Sequence, residues 1–158
     1  MLTWNRILQS AIGYHELGMA EEALRELDTV GPAHRGEIPT LELRAVLLLQ
    51  LGRWQEAADT HAELCRLDGA CAERFIAWGC CLYELGRIAD CRAALSAAPA
   101  AARGHGLWNF HLACYESLLG HKEEAGRLIH RALELDPRLL GMARRNENLA
   151  PLLAPEPA

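Results

Sequence analysis

The sequence has no run of about 18 apolar residues, so no membrane-spanning helix is written in it, although 51% of its 158 residues are apolar. It has no excess of positive charge either. Sixteen Lys and Arg stand against 21 Asp and Glu, a formal net charge of −5, and acidic and basic residues alternate along helix faces as solvated surfaces do. Without a basic stripe there is no electrostatic grip on nucleic acid, and no nucleic-acid partner is expected. The six cysteines, at 65, 71, 80, 81, 91 and 114, include no C-x-x-C pair, and adjacent Cys80 and Cys81 point to different faces of one helix. They read as small, reduced, buried hydrophobes of an intracellular chain. No phosphate loop, nucleophile elbow or H-E-x-x-H pattern occurs. The opening MLTWNRILQS lacks the apolar core and small-residue cleavage site of a secretory signal. A cytoplasmic location without membrane insertion is the expectation.

What the sequence does have is an interval. Leu17-Gly18, Leu51-Gly52, Leu85-Gly86 and Leu119-Gly120 follow one another at a single constant spacing. Each pair sits between two stretches of helical apolar periodicity. The clearest is Trp108 to Pro137, WNFHLACYESLLGHKEEAGRLIHRALELDP, two amphipathic helices turned at Gly120 and closed by Leu-Asp-Pro. Earlier helices are expected over 3–17, 20–30, about 39–51, 54–67, 72–85 and 87–97. Gly31 to Gly36 reads as a loop and Ala100 to Gly106 as a small-residue connector. A short helix is expected over Arg138–Arg145 and a final turn within Asn146–Leu153, with the last residues, APEPA, fraying.

Counting repeats from Trp4, Ile38, Ala72 and Gly106, the eighth position holds Ala11, Ala45, Gly79 and Ala113. The twentieth holds Ala23, Ala57, Cys91 and Ala125, and the twenty-seventh Val30, Leu64, Ala98 and Ala132. Small residues at the first two positions let the paired helices approach, and a leucine there would overpack the contact by roughly 1–3 kcal/mol. These residues, at a 34-residue helix–turn–helix period, resemble the tetratricopeptide repeat. The last repeat and tail, through ENLAPLL, resemble the end-of-group repeat found last in many bacterial proteins of this kind. The resemblance covers residues 4 to about 145. It implies an all-α, right-handed superhelical α-solenoid: one domain with repeats at about 4–37, 38–71, 72–105 and 106–139, then a capping helix and tail over 138–158.

Departures from the pattern carry their own expectations. The helix-terminating proline is present only at Pro137, with Arg35, Gly69 and Arg103 at the equivalent places, so the joints after repeats one and three should be less regular. Asn109 and Glu116 stand where apolar residues are usual, while Trp108 and Tyr115 sit one residue earlier and should take over the packing. If buried, Glu116 must find a donor or stay neutral.

The resemblance further implies a concave, peptide-binding groove lined by the first helix of each repeat. Carried over by position, its lining begins with Asn5, Leu8, Ile12 and His15, then Pro39, Glu42, Val46 and Leu49. Repeat three supplies Glu73, Ile76, Cys80 and Tyr83, and repeat four Leu107, Phe110, Cys114 and Ser117. No Lys, Arg and Asn set for clamping a C-terminal carboxylate is present, and Glu42 and Glu73 would repel one. The apolar stripe instead implies a hydrophobic or amphipathic segment of another protein as the ligand. The alternative is that the chain's own tail, or a second copy in a homodimer, fills the groove as a self-associating scaffold.

Chemistry at the cysteines is the remaining reading. His61, Cys65 and Cys71 form an incomplete zinc spacing, and His111 with Cys114 resembles a thiol–imidazole pair lacking a third member. Neither is complete, so no catalytic residue, metal ligand or cofactor is assigned. The expected role is a non-catalytic protein-interaction module or adaptor.

Overall fold

A computed structural model describes residues 3–153, the side chain of Ala102 aside. The expected fraying of residues 154–158 lies outside them. The chain divides into two compact units, Met1–Asp68 and Gly69–Ala158. Among the described residues the secondary structure is entirely helical.

In the first unit, α1 (Trp4–Glu16) and α2 (Ala20–Asp28) form one hairpin, and α4 (Ile38–Gln50) with α5 (Trp54–Leu67) form the next; a single-turn helix α3 (Pro32–Arg35) joins them. Helix α4 packs on both α1 and α2, so the second hairpin lies against the first. The second unit repeats this order with α6 (Ala72–Glu84), α7 (Ile88–Ser96), the single turn α8 (Ala100–Arg103), α9 (Gly106–Leu118) and α10 (Lys122–Leu135). It then adds a 3₁₀ turn at Pro137–Leu139, α11 (Leu140–Arg145) and a last 3₁₀ turn at Ala150–Leu152.

All four hairpins turn in the same way. Gly18, Gly52, Gly86 and Gly120 have φ of 75°, 66°, 71° and 86°. This left-handed conformation favours glycine. In each, the glycine N–H and the next residue's N–H return to carbonyls of the helix just ended, as in Gly86 to Tyr83 (2.8 Å) and Arg87 to Leu82 (2.9 Å). That pairing caps orphan carbonyls of the last turn. The constant interval of the sequence is thus the spacing of four equivalent helix ends.

The small positions lie where the phase puts them. Ala11, Ala23, Ala57, Cys91, Ala113 and Ala125 are all fully buried, and Ala45 is 2% exposed. At Gly79 the approach leaves no room for a side chain. A Cβ there would lie 2.6 Å from Leu95 Cδ1 and 3.2 Å from the Tyr115 hydroxyl, so even alanine would have to displace a neighbour.

The joints after repeats one and three are the irregular ones, as expected, although the missing proline does not single them out, since Gly69 stands in its place after the long helix α5. Helices α2 and α7 have 9 residues each, whereas α5 and α10 have 14. After each short helix a proline introduces a new single turn, Pro32 as the first residue of α3 and Pro99 just before α8. The loop at 31–36 and the connector at 100–106 are to that extent corrected. Arg35 Nε donates to the Val30 carbonyl at 2.8 Å, and two repeats further on Arg103 Nε donates to the Ala98 carbonyl at 2.8 Å. Arg103 Nη2 also reaches the Ser96 carbonyl at 3.0 Å. Each arginine fork holds carbonyls left open by early helix termination.

Trp108 and Tyr115 are buried, as expected of them, and so are Asn109 and Glu116. Trp108 Nε1 donates to the Leu95 carbonyl at 3.1 Å, and the Asn109 amide to the carbonyls of Arg103 and His105 at 2.9 and 3.0 Å. Glu116 is 4% exposed. It accepts from Arg92 Nε at 2.6 Å on one oxygen and from His121 Nδ1 at 2.5 Å on the other. Burial pushes its carboxyl pKa up, but the Arg92 and His121 hydrogen bonds outweigh that and hold it below the ordinary value.

Candidate functional site

In the second unit the leading helices α6 and α9 lie side by side, and the C-terminal segment crosses the end of the furrow between them. The result is a half-open cleft of about 250 Å³. Its walls are Cys80, Tyr83, Phe110, Cys114, Tyr115 and Leu118, and its polar edge is Glu84, His111, Asn146 and Asn148. Tyr83 and Leu118 remain 47% and 39% exposed. The Phe110 and His111 rings meet edge to face at 5.7 Å. Tyr115 hydrogen-bonds the Cys80 thiol.

The tail is fixed by specific bonds. Ser117 Oγ donates to the Asn148 carbonyl at 2.8 Å and accepts from Lys122 Nζ at 2.8 Å. Asn146 Oδ1 accepts from the backbone N–H of Asn148 and Leu149 at 3.0 and 3.2 Å, while its Nδ2 donates to Cys114 Sγ at 3.6 Å. Leu149 is fully buried.

This geometry corrects part of the expected lining. Phe110, Cys114 and Ser117 are not an open surface; they are 4%, 9% and 3% exposed because the tail covers that face of α9. Phe110 and Cys114 form the cleft wall, and Ser117 is committed to the tail. Cys80 and Tyr83 join them in the cleft. Glu73 does not. It lies exposed at the start of α6, accepting from the Cys71 thiol at 3.3 Å with His105 Nε2 3.5 Å away. Ile76 and Leu107 are half-buried.

In the first unit Ile12 and Val46 are each 42% exposed. Leu8, His15 and Leu49 are half-buried, and Asn5, Pro39 and Glu42 are exposed. His15 Nδ1 lies 3.2 Å from Gln50 Oε1.

Position counting missed Glu84, Leu118, His111, Tyr115, Asn146 and Asn148 as lining. Glu84 and Leu118 share the thirteenth position of their repeats, so the period itself could have found them. The two asparagines lie beyond the repeats, where no periodicity points.

Burial argues against the thiol–imidazole reading. It pushes Cys114 up to about 12 and His111 below its ordinary value. Both are therefore neutral near pH 7, not a thiolate beside an imidazolium. Cys81 and Cys91 are likewise pushed up to about 11 by burial. Among the described residues, which include all six cysteines, no disulfide is formed. Among the described residues no three His, Cys, Asp or Glu are grouped to hold a metal ion, and no helix is long and apolar enough to cross a membrane.

No family model matches the chain, and no curated protein matches it. Solved structures do resemble it. A crystal structure of MamA protein superimposes with a TM-score of 0.79 at 16% identity, covering 94% of this chain and 79% of that one. MamA from Desulfovibrio magneticus RS-1 gives 0.72 at 19% identity, covering 94% and 88%. The Yersinia enterocolitica type III secretion chaperone SycD, in complex with a peptide of the translocator YopD, gives 0.61 at 22% identity, covering 71% and 88%. MamA contains tetratricopeptide repeats and SycD is tetratricopeptide-like. At these identities the likeness speaks for architecture, and the architecture is the all-α tetratricopeptide-type solenoid fold.

Proposed function

We propose that this chain is a non-catalytic interaction module, a single array of four repeats that takes an apolar or amphipathic segment of another protein against its leading helices. The observation that carries the reading is the cleft between α6 and α9. It offers two phenol rings, a phenyl ring and a leucine around a half-open space, with few polar groups to desolvate. The first unit by itself exposes Ile12 and Val46 on its own leading helices. The SycD neighbour, described with a bound translocator peptide, supports a peptide as the class of ligand. The raised thiol pKa values and neutral His111 support binding, rather than bond-making, as the use of the site.

Because Phe110 is buried, a charge there would unsettle the fold as well as the site. The exposed Tyr83 is the informative position. Immobilised peptides spanning apolar, amphipathic and polar compositions should retain the wild-type protein in order of apolar content. Tyr83→Asp should abolish retention with the far-UV helical signal unchanged. Retention that ignores Tyr83→Asp, or that follows polar peptides, would refute the proposal.

A further inference from the structure

The cleft continues past Phe110 and Asn146 into a shallower depression floored by Met142 and edged by Arg145. Glu84 borders the cleft and not the depression; Arg145 borders the depression and not the cleft. Both side chains belong to exposed residues. Among the described residues neither has an ion-pair partner, unlike Arg92, Arg138 or Asp136, which are engaged. The apolar path over Phe110 is therefore bounded by a free anion on one side and a free cation on the other. Tyr83, Leu118 and Met142, at 47%, 39% and 43% exposure, are large apolar groups left uncovered along it.

Resting on the reading above, we infer that the ligand of this site is a peptide segment with an apolar core and opposite charges at its two ends, a base set against Glu84 and an acid against Arg145. A uniformly charged segment would meet one attraction and one repulsion, which nearly cancel. A segment of opposite ends laid in the matching direction gains both attractions, and in the reversed direction suffers both repulsions. The charges thus fix the direction in which the chain lies, and the apolar core supplies the contact.

The test uses four synthetic peptides sharing one core of leucine and phenylalanine, with lysines or aspartates at the ends in the four arrangements Lys–Asp, Asp–Lys, Lys–Lys and Asp–Asp. One of the two mixed arrangements should bind the wild-type chain about tenfold more tightly than either uniform peptide at low salt, and its reverse should bind more weakly still. That preference should shrink at high ionic strength. The double variant Glu84→Lys with Arg145→Glu should transfer the preference to the opposite mixed peptide, with helical content unchanged.

Equal affinity for all four, or a preference that the double variant does not reverse, overturns the inference while leaving apolar peptide binding intact. Failure of all four to bind overturns the underlying reading as well. Light scattering decides the remaining occupant. If the full chain self-associates and Tyr83→Asp dissociates it, the site belongs to a second copy and the inference falls.

Discussion

Leu48 and Glu116 stand at the same place in the two units, eleventh in the repeat that forms each unit's second hairpin. Both are buried, at 1% and 4% exposure, yet one is held by packing and the other by Arg92 and His121. Val46 and Cys114 are a second such pair, and here the exposures diverge, 42% against 9%. Leu49 and Ser117 diverge in the same sense. The close-contact position does not diverge, since Ala45 and Ala113 are both buried. The repeat phase thus fixes how two helices of a hairpin meet, whereas the outward face of a leading helix is decided by what the chain does afterwards. In the second unit it folds back through Asn146–Leu153 and covers α9.

The sharpest way to break this equivalence is at the close contact. Ala45→Leu and Ala113→Leu should each lower unfolding free energy by about 3 kcal/mol, measured by chemical denaturation. A neutral result at either would mean that the shared phase does not govern that hairpin.

Next in size is Glu116. Glu116→Ala strands the Arg92 and His121 donors, but both are about half exposed. The loss should therefore be about 2 kcal/mol rather than the larger cost of breaking a fully buried pair. Glu116→Leu writes the first unit's residue into the second and should cost under about 1 kcal/mol. The folded carboxyl pKa lies below its ordinary 4.5. Its contribution is therefore complete above that value and lost as pH falls through the depressed native one. Glu116→Leu should flatten that acid limb of the stability profile.

Arg35→Ala and Arg103→Ala should each cost about 1 kcal/mol. Arg103 should be the larger because it holds a second carbonyl.

The smallest effect is at His111. Burial keeps its pKa below the ordinary 6.5, so the unfolded chain takes up a proton there that the folded chain refuses. Stability should then fall as pH drops below about 6.5, until the native ring titrates. His111→Phe should remove that slope, as followed by thermal unfolding between pH 7 and 5.

The repeat length, the turn glycines and the small contact residues were all readable in the sequence, because each answers to a local demand: a left-handed turn or a close approach. The irregular joints were readable from Arg35 and Arg103, although not the single-turn helices that fill them. A stretch such as Ala100-Ala101-Ala102-Arg103 is too short for periodicity to show. The partners of Glu116 were hidden for a different reason. Arg92 belongs to the preceding hairpin and meets it only after two helices are stacked. Likewise Asn146 and Asn148 belong to no repeat, and only the folded chain shows the tail shaping the cleft.

The matched arginine clasps at Arg35 and Arg103 have a consequence for building with this chain. A short second helix closed by arginine alternates with a long one running to Leu67 or Leu135, so the unit of extension is a pair of hairpins rather than one. Splicing in one hairpin alone would set two clasped junctions, or two long helices, back to back. An engineer wishing to lengthen the chain would do better to copy residues 4–71 whole and leave the native end in place.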